Sequence, residues 1–527
     1  MNKLLIILTK YKRFFVFGFF FVLIIMGFLA YQDYGLSWDE PISHINGQVT
    51  LDYVTKGDPA LWTYSERYYG TIVEMPLVAL TKFFGASSTQ ELFFIRHIAT
   101  FLLFVAGVFV FYRLCLKRFK STALALTGAL FLVLSPRIFA DAFYNSKDIP
   151  MMIFFIISIY TLSRFLDRPS IKNIFIHSVA SALLIATRIP GIILPLITIG
   201  VVALDFILLP ETKRQWRKIA TLICIYLITT ALITVALWPY LWKDTISHFG
   251  ESYRDMKQFS RQINMQILYM GEYLTASKLP WHYIPVWMII TTPILYLALF
   301  LIGLGYTIKR FIKKIREEYR QNKLDFAVLG WFFGPILAVI IFNSVLYDGW
   351  RHLYFVYPAI IYIALLGIAA LLSWIRKSEK EVQNIFQAVF FTILAVSSIG
   401  TAWFMIKNHP YQNVYFNIFA GNITKARENF DLDYWGLSFR EGLEYIARND
   451  KDPIIPIAII GGTPDNLLML TEEQANRFLI LSQEELGKAK YILSNYRWQR
   501  YAKMPHHLEF YTVKVKGENI MSVFKLK

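Results

Sequence analysis

The sequence predicts a polytopic α-helical membrane protein of about eleven spans, with a long first exported loop and a small C-terminal α/β domain. Three observations carry this reading. The 527 residues are 56% hydrophobic and only 17% charged, where a soluble chain carries roughly 25% charged residues. Apolar stretches long enough to cross a bilayer recur from residue 14 to residue 406. Lys and Arg gather in alternate short connections between those stretches, which is the charge bias of cytoplasmic loops. The same distribution argues against nucleic-acid binding as the reason for the net charge of +17.

Residues 14–31 form the first span. Lys10, Lys12 and Arg13 precede it as in a signal peptide. The apolar run is longer than the 7–15 residues of a signal core, however, and no small-residue cleavage site follows, so it reads as a retained helix. Further spans are expected at 92–114, 121–140, 150–166, 173–187, 190–209, 219–240, 284–308, 325–346, 352–374 and 384–406. Arg188-Ile189-Pro190-Gly191 separates two of them, because Pro and Gly punctuate helices.

The basic connections hold Lys3, Lys10, Lys12 and Arg13; Arg113, Lys117, Arg118 and Lys120; Arg164, Arg168 and Lys172; Lys213, Arg214, Arg217 and Lys218; the run 309–323; and Arg376, Lys377 and Lys380. By the positive-inside rule the N-terminus is cytoplasmic. An odd number of spans then exports the C-terminal region of a multi-pass cell-membrane protein.

The membrane region is residues 1–406. Its exported loop 32–91 carries amphipathic helices over 41–53 and 69–84, suited to the interface. A second exported loop, 242–283, is longer than idle loops usually are. Residues 407–527 change character and read as a soluble α/β domain. Ser438 to Asn449 is a helix capped by Ser438 with Glu441 three residues on. Strands are expected at 454–460 and 489–495, with a hairpin of 509–515 and 519–525 around Lys516-Gly517-Glu518. Two cysteines, Cys115 and Cys224, exclude a disulfide framework and read as buried thiols.

The candidate chemistry lies at the exported ends of spans. Ser37-Trp38-Asp39-Glu40 places two carboxylates just beyond the first span. Charges there are costly unless solvated, paired or used. Pro41 favours extended backbone at Glu40 and a helix beginning at Pro41. The pair can therefore cap a helix, or Asp39 can take a proton from a hydroxyl. Lys147-Asp148-Ile149-Pro150 is a second acidic site before a span. Arg96, His97, Arg188, Arg351 and His352 are bases at membrane depth or its edge; they either snorkel or hold a phosphate, which the guanidinium fork suits. There is no His-Glu-x-x-His, CxxC, phosphate-binding Gly-rich loop or serine nucleophile elbow. Asn422-Ile423-Thr424 is a formal glycosylation triplet.

Together these residues resemble the GT-C superfamily of integral-membrane glycosyltransferases, in particular its protein O-mannosyltransferase-like and aminoarabinose-transferase-like bacterial group. Ser37-Trp38-Asp39-Glu40 resembles the acidic motif of that group's first exported loop, and Lys147-Asp148-Ile149-Pro150 its second acidic site. Arg351-His352-Leu353-Tyr354 with Pro358 is similar to the Arg-and-Pro stretch of a late span. His409-Pro410-Tyr411-Gln412-Asn413-Val414-Tyr415-Phe416-Asn417 and Asp433-Tyr434-Trp435-Gly436 resemble a segment of members with an exported tail.

The resemblance implies a polyprenyl-phosphate-linked sugar as donor, transferred with inversion to a hydroxyl of a lipid, glycan or protein acceptor on the exported face. It gives catalytic roles to Asp39, Glu40 and Asp148. It gives substrate-binding roles to Arg96, His97, Lys147, Arg188, Arg351, His352 and Tyr415. No cofactor is certain; a divalent metal cation, if used, would sit on Asp39 and Asp148. Two other classes compete. A flippase or transporter for a lipid-linked glycan calls for polar groups through the middle of spans and related half-repeats, and a polysaccharide polymerase or ligase places its key loop elsewhere.

Overall fold

The computed structural model describes residues 11–209, 215–258, 262–498 and 508–526. Lys3, Lys10, Lys213 and Arg214, counted in the charge pattern, lie outside them. Among the described residues nine helices are long and apolar enough to cross a membrane, or ten if a bent pair counts as one span. The chain is a multi-pass membrane protein. Each expected span corresponds to a helix, but three differ in form.

The expected span 121–140 is two helices, Thr122–Val133 and Pro136–Tyr144, bent by 67°. Pro136 has no N–H to donate and ends the first helix. Ser135 secures the corner: its hydroxyl donates to Phe131 O at 2.7 Å and lies 2.7 Å from the Tyr357 hydroxyl, which can donate to it. Every residue of Pro136–Tyr144 is buried, so this half-helix runs inside the protein. The expected span 173–187 is a short helix, Ile171–Ile185. The expected span 284–308 divides at Thr292-Pro293 into Tyr283–Thr291 and a long helix, Ile294–Gln321. That long helix packs closely on Tyr357–Ile375, where two glycines let the backbones approach. A Cβ on Gly303 would lie 2.0 Å from Ile363 O, and one on Gly367 2.1 Å from Leu299 O. Small residues at such contacts are the usual device of membrane helices.

At one end of the bundle the basic connections are tied together. Arg118 forks onto both oxygens of Asp325 at 2.7 and 2.6 Å, and Lys323 pairs with Asp205 at 2.8 Å. The other end carries the two long loops and the tail. The first loop folds as Asp39–Lys56 and Glu74–Phe83. The first of these starts two residues before Pro41, not at it. The first turn of a helix needs no N–H partner, so a proline in its third position is tolerated. The second loop forms a helix, Thr245–Gln258, and a hairpin of β1 (Gln266–Tyr269) and β2 (Glu272–Thr275). Met270 and Gly271 both have positive φ (53° and 85°), as a two-residue hairpin turn requires.

The tail holds β3 (Ile455–Ile460), β4 (Phe478–Ile480), β5 (Tyr491–Ser494), β6 (Glu509–Val515) and β7 (Glu518–Lys525), ordered β4-β3-β5-β7-β6. β3 runs parallel to β4 and β5, and β7 is antiparallel to β5 and β6. The helix Phe439–Asn449 covers the sheet. Ser438 does not cap it. The Ser438 hydroxyl donates instead to Asp433 at 2.6 Å, and Glu441 accepts from Tyr411 at 2.5 Å. The tail is fastened to the first loop by Asn466, which exchanges hydrogen bonds with Leu36 N and O at 2.8 and 3.1 Å. Arg440 adds a bond to Tyr34 O at 2.8 Å. Cys115 is buried as expected, but Cys224 is exposed on an apolar helix that presents much of its surface outward.

Candidate active site

Asp39 opens the helix Asp39–Lys56, where the helix dipole favours a carboxylate. Asp148 is likewise the first residue of Asp148–Asp167. Asn145 anchors that start, accepting from Asp148 N at 2.9 Å and donating to Asp148 Oδ2 at 3.0 Å. The two carboxylates, 109 positions apart by their numbering, meet on one nitrogen. Arg351 Nη1 donates to Asp39 Oδ2 at 3.1 Å and to Asp148 Oδ2 at 3.3 Å. Arg351 follows Asp348 and Gly349, both at positive φ (56° and 70°). This turn aims the guanidinium inward, over the rings of Trp435 (4.5 Å) and Tyr347 (5.0 Å). Its Nη2 donates to Asp348 Oδ2 at 3.3 Å.

Arg188 stands in extended backbone at the Pro-Gly break between two helices, and its Nη1 pairs with Asp148 Oδ1. Lys147 Nζ lies 3.9 Å from Asp39 Oδ2 and over the ring of Tyr69 at 5.2 Å. Asp39, Lys147, Arg188 and Arg351 thus line one polar cavity of about 60 Å³, with Ile42, Glu66, Tyr69, Asp255, Gln262 and Tyr347 completing the wall.

A second, apolar cavity of about 340 Å³ adjoins it, between residues 189–196, 252–257 and 335–346. Tyr69, Arg188 and Asp255 line both. His352 lines the apolar one, its ring edge-on to Tyr347 at 4.7 Å. The site therefore presents a greasy slot whose inner end meets a cluster of cations and carboxylates.

The electrostatics of two cavity carboxylates diverge. Burial pushes the Asp39 carboxyl up, but Lys147, Arg351 and Arg188 outweigh it and hold it at about 2. The Asp255 carboxyl is raised by burial, which Arg67 only partly offsets. The two carboxyls are thus shifted in opposite directions from their ordinary value.

Asp148 lies behind the lining, on Arg188 and Arg351, and four other expected site residues lie apart from the cavities. Glu40, next to Asp39 on the helix, points the other way: it accepts from Ser37 N at 2.9 Å and pairs with His97 Nε2 at 2.9 Å, fully inside the fold. His97 Nδ1 lies 3.1 Å from Tyr31 O. Arg96 pairs with Glu74 at 2.6 Å. Tyr415 uses its carbonyl to accept from Arg137 at 3.0 Å, and its ring packs on Phe404. Glu40, His97 and Arg96 thus tie the first loop to the second span, and Tyr415 joins the tail segment to the half-helix Pro136–Tyr144 and the last span.

A divalent cation does not fit the site as arranged. Magnesium takes near-octahedral oxygen coordination. Here Asp39 and Asp148 are turned onto Arg351, with Lys147 and Arg188 beside them, so a cation would meet three positive groups. Among the described residues no group of three or more His, Cys, Asp or Glu converges.

Comparison with known proteins agrees with this architecture. Residues 77–240 match the family model of dolichyl-phosphate-mannose-protein mannosyltransferase. The oligosaccharyltransferase of Archaeoglobus fulgidus, solved with a tethered acceptor peptide, superposes with a TM-score of 0.52 at 12% identity, over 92% of this chain and 70% of that one. The same organism's AglB, solved with an inhibitory peptide and a dolichol-phosphate, gives 0.50 at 10% identity, over 92% and 70%. The fold is that of the GT-C membrane glycosyltransferases. ArnT from Cupriavidus metallidurans, bound to undecaprenyl phosphate, is also similar, at a TM-score of 0.49 and 13% identity over 97% and 98% of the chains. No curated protein sequence matches. The matched segment contains Arg96, His97, Lys147, Asp148 and Arg188; Asp39, Glu40, Arg351, His352 and Tyr415 lie outside it.

The cavity wall also holds Ile42, Glu66, Tyr69, Asp255, Gln262 and Tyr347, which the sequence alone does not single out. One signal was available for Tyr347: it adjoins Asp348-Gly349, a pair suited to a tight turn.

Proposed function

We propose that this protein is an inverting glycosyltransferase that moves a sugar from a polyprenyl-phosphate-linked donor to an acceptor hydroxyl on the exported face of the membrane. The observation that carries the reading is the junction of the two cavities at Arg188. A polyprenyl chain needs an apolar slot, and its phosphate needs cations where that slot ends. The archaeal AglB of the same fold binds a dolichol-phosphate, a ligand of that chemical kind. The concentration of basic connections at the end opposite Asp39 supports an exported site and tail, with a cytoplasmic N-terminus.

Arg351 and Arg188 hold the donor phosphate and stabilise the charge it gains as it leaves, which is usually the largest catalytic contribution. The acceptor oxygen bonds to the anomeric carbon from the face opposite the phosphate. The bond from that carbon to the phosphate oxygen breaks, and polyprenyl phosphate departs with the bonding electrons. Asp39 takes the acceptor's hydroxyl proton. Asp148 orients Arg351 and Arg188.

A carboxylate held at about 2 is a weak base for a hydroxyl. Donor binding corrects this. Once the phosphate engages Arg351 and Arg188, their positive charge is shared with it, and Asp39 becomes more basic when the acceptor arrives. The reaction needs no divalent cation in this scheme, so transfer persists in excess chelator.

The test is to incubate the protein in lipid nanodiscs with labelled polyprenyl-phosphate hexoses and pentoses and cell-envelope acceptors. Release of free polyprenyl phosphate with label in the envelope fraction is expected, with the product's anomeric configuration opposite to the donor's. Retained configuration rules out single inversion. In sealed proteoliposomes, movement of intact donor across the bilayer without cleavage would instead make the protein a flippase.

A further inference from the structure

We propose that Arg497, from the C-terminal domain, is a positioning residue for transfer: by engaging Asp348 it leaves Arg351 free to serve Asp39, Asp148 and the donor phosphate. This rests on the transferase reading above.

The geometry is a chain of alternating charges that crosses from the tail into the site. Asp348 is divided between two guanidinium groups. Its Oδ1 takes Arg497 Nη2, and its Oδ2 takes Arg351 Nη2 at 3.3 Å. The other nitrogen of Arg351 carries both Asp39 and Asp148. Among the described residues, Arg497 thus shares the carboxylate that competes with Asp39 and Asp148 for Arg351.

Arg497 is itself held in place. It is only 4% exposed. Its guanidinium lies over the rings of Trp38 (5.1 Å) and Trp498 (4.6 Å), and Nη1 donates to Tyr434 O at 2.9 Å. Tyr496 and Trp498, on either side of it, have φ of 63° and 58°. Bulky residues adopt that region only when the surroundings impose it, and such outliers cluster at functional sites. Trp38 is the residue before Asp39, so the same side chain steadies the start of the base's helix and balances its partner. Burial of this kind is costly for an unpaired charge. Asp348 left with Arg351 alone would therefore draw that guanidinium away from Asp39.

The experiment compares full-length wild type with Arg497→Met, Asp348→Asn and the double variant, all scored per folded molecule after size-exclusion in detergent. Arg497→Met is expected to lower kcat by roughly 10–100-fold, the scale of a small misplacement of a reacting group. Its donor KM should rise as well, because the displaced Arg351 also holds the donor phosphate. Asp348→Asn alone keeps most of kcat, and adding it to Arg497→Met restores kcat, because the competing charge is gone. A plain structural strut predicts the opposite for Asp348→Asn, which would be impaired like Arg497→Met. An unchanged kcat in Arg497→Met, or a double variant no better than it, overturns the proposal. If wild type transfers no sugar, the transferase reading fails by itself, and the same four proteins are titrated with undecaprenyl phosphate. Weakened binding in Arg497→Met that the double variant restores then upholds the positioning role. Equal binding by all four, or none by wild type, overturns it.

Discussion

Asp39 and Asp148 are joined through a single guanidinium nitrogen of Arg351, at 3.1 and 3.3 Å. A helix of the first loop and a helix of the bundle thereby present their N-terminal carboxylates to the same cation. In the proposed reaction an incoming phosphate competes for that cation, which would couple donor binding to the basicity of Asp39. The predictions below follow from that coupling and from the slot beside it.

Asp39→Asn keeps the shape of the site and removes the proposed proton acceptor. Transfer is expected to fall roughly 10²–10⁴-fold in kcat, the usual worth of general base catalysis, while the detergent-extracted protein elutes as wild type does. Near-normal turnover with an undiminished acceptor range would remove Asp39 from this role.

The pH dependence has a definite sign. In the free protein Asp39 lies at about 2, below its ordinary 3.8. Its ion pairing therefore adds stability above the ordinary value, and that contribution is lost as pH falls from there toward about 2. The profile of kcat/KM reports the free protein, so Asp39 imposes no acid limb within a practical range. The profile of kcat reports the donor complex, in which Arg351 and Arg188 are shared with phosphate. Its acid limb should sit at higher pH than that of kcat/KM. Coincident limbs, or the reverse order, would contradict charge sharing at Arg351.

Glu40 makes a contrasting case. It is 2% exposed and bonded to Ser37 and His97. Glu40→Ala strands those donors, which costs about 1–3 kcal/mol for each buried group left unsatisfied. The expected result is a lower thermal midpoint with kcat per folded molecule close to wild type. A large loss of kcat at unchanged stability would return Glu40 to the catalytic set.

These outcomes track what the chain's residues could reveal on their own. The spans were legible because apolar length and alternating basic loops are properties of local sequence. The bend at Ser135-Pro136 was not, since hydropathy runs on past it and only burial shows the second half turning inward. Asp39, Asp148 and Arg351 stood out because a charge at a span end needs a reason. Glu40 adjoins Asp39, but neighbours on a helix project about 100° apart, and that angle separates cavity from core. Asp255 and Arg497 come from a loop and a tail where charged residues are ordinary. Only the fold brings them to the site.

The apolar slot gives the last test. Leu196 and Phe342 line it and are 64% and 70% exposed, so changing them should leave the packed core alone. Each methylene removed from water contributes about 0.8 kcal/mol. Leu196→Trp, by displacing two or three methylenes of the chain, should raise KM for a long-chain donor roughly 10–100-fold by that figure. A donor with a short prenyl chain, which does not reach the mouth of the slot, should be affected far less. kcat at saturation should hold for both, because Leu196 is absent from the lining of the polar cavity. Equal effects on long and short donors would place the lipid elsewhere and detach the slot from the donor.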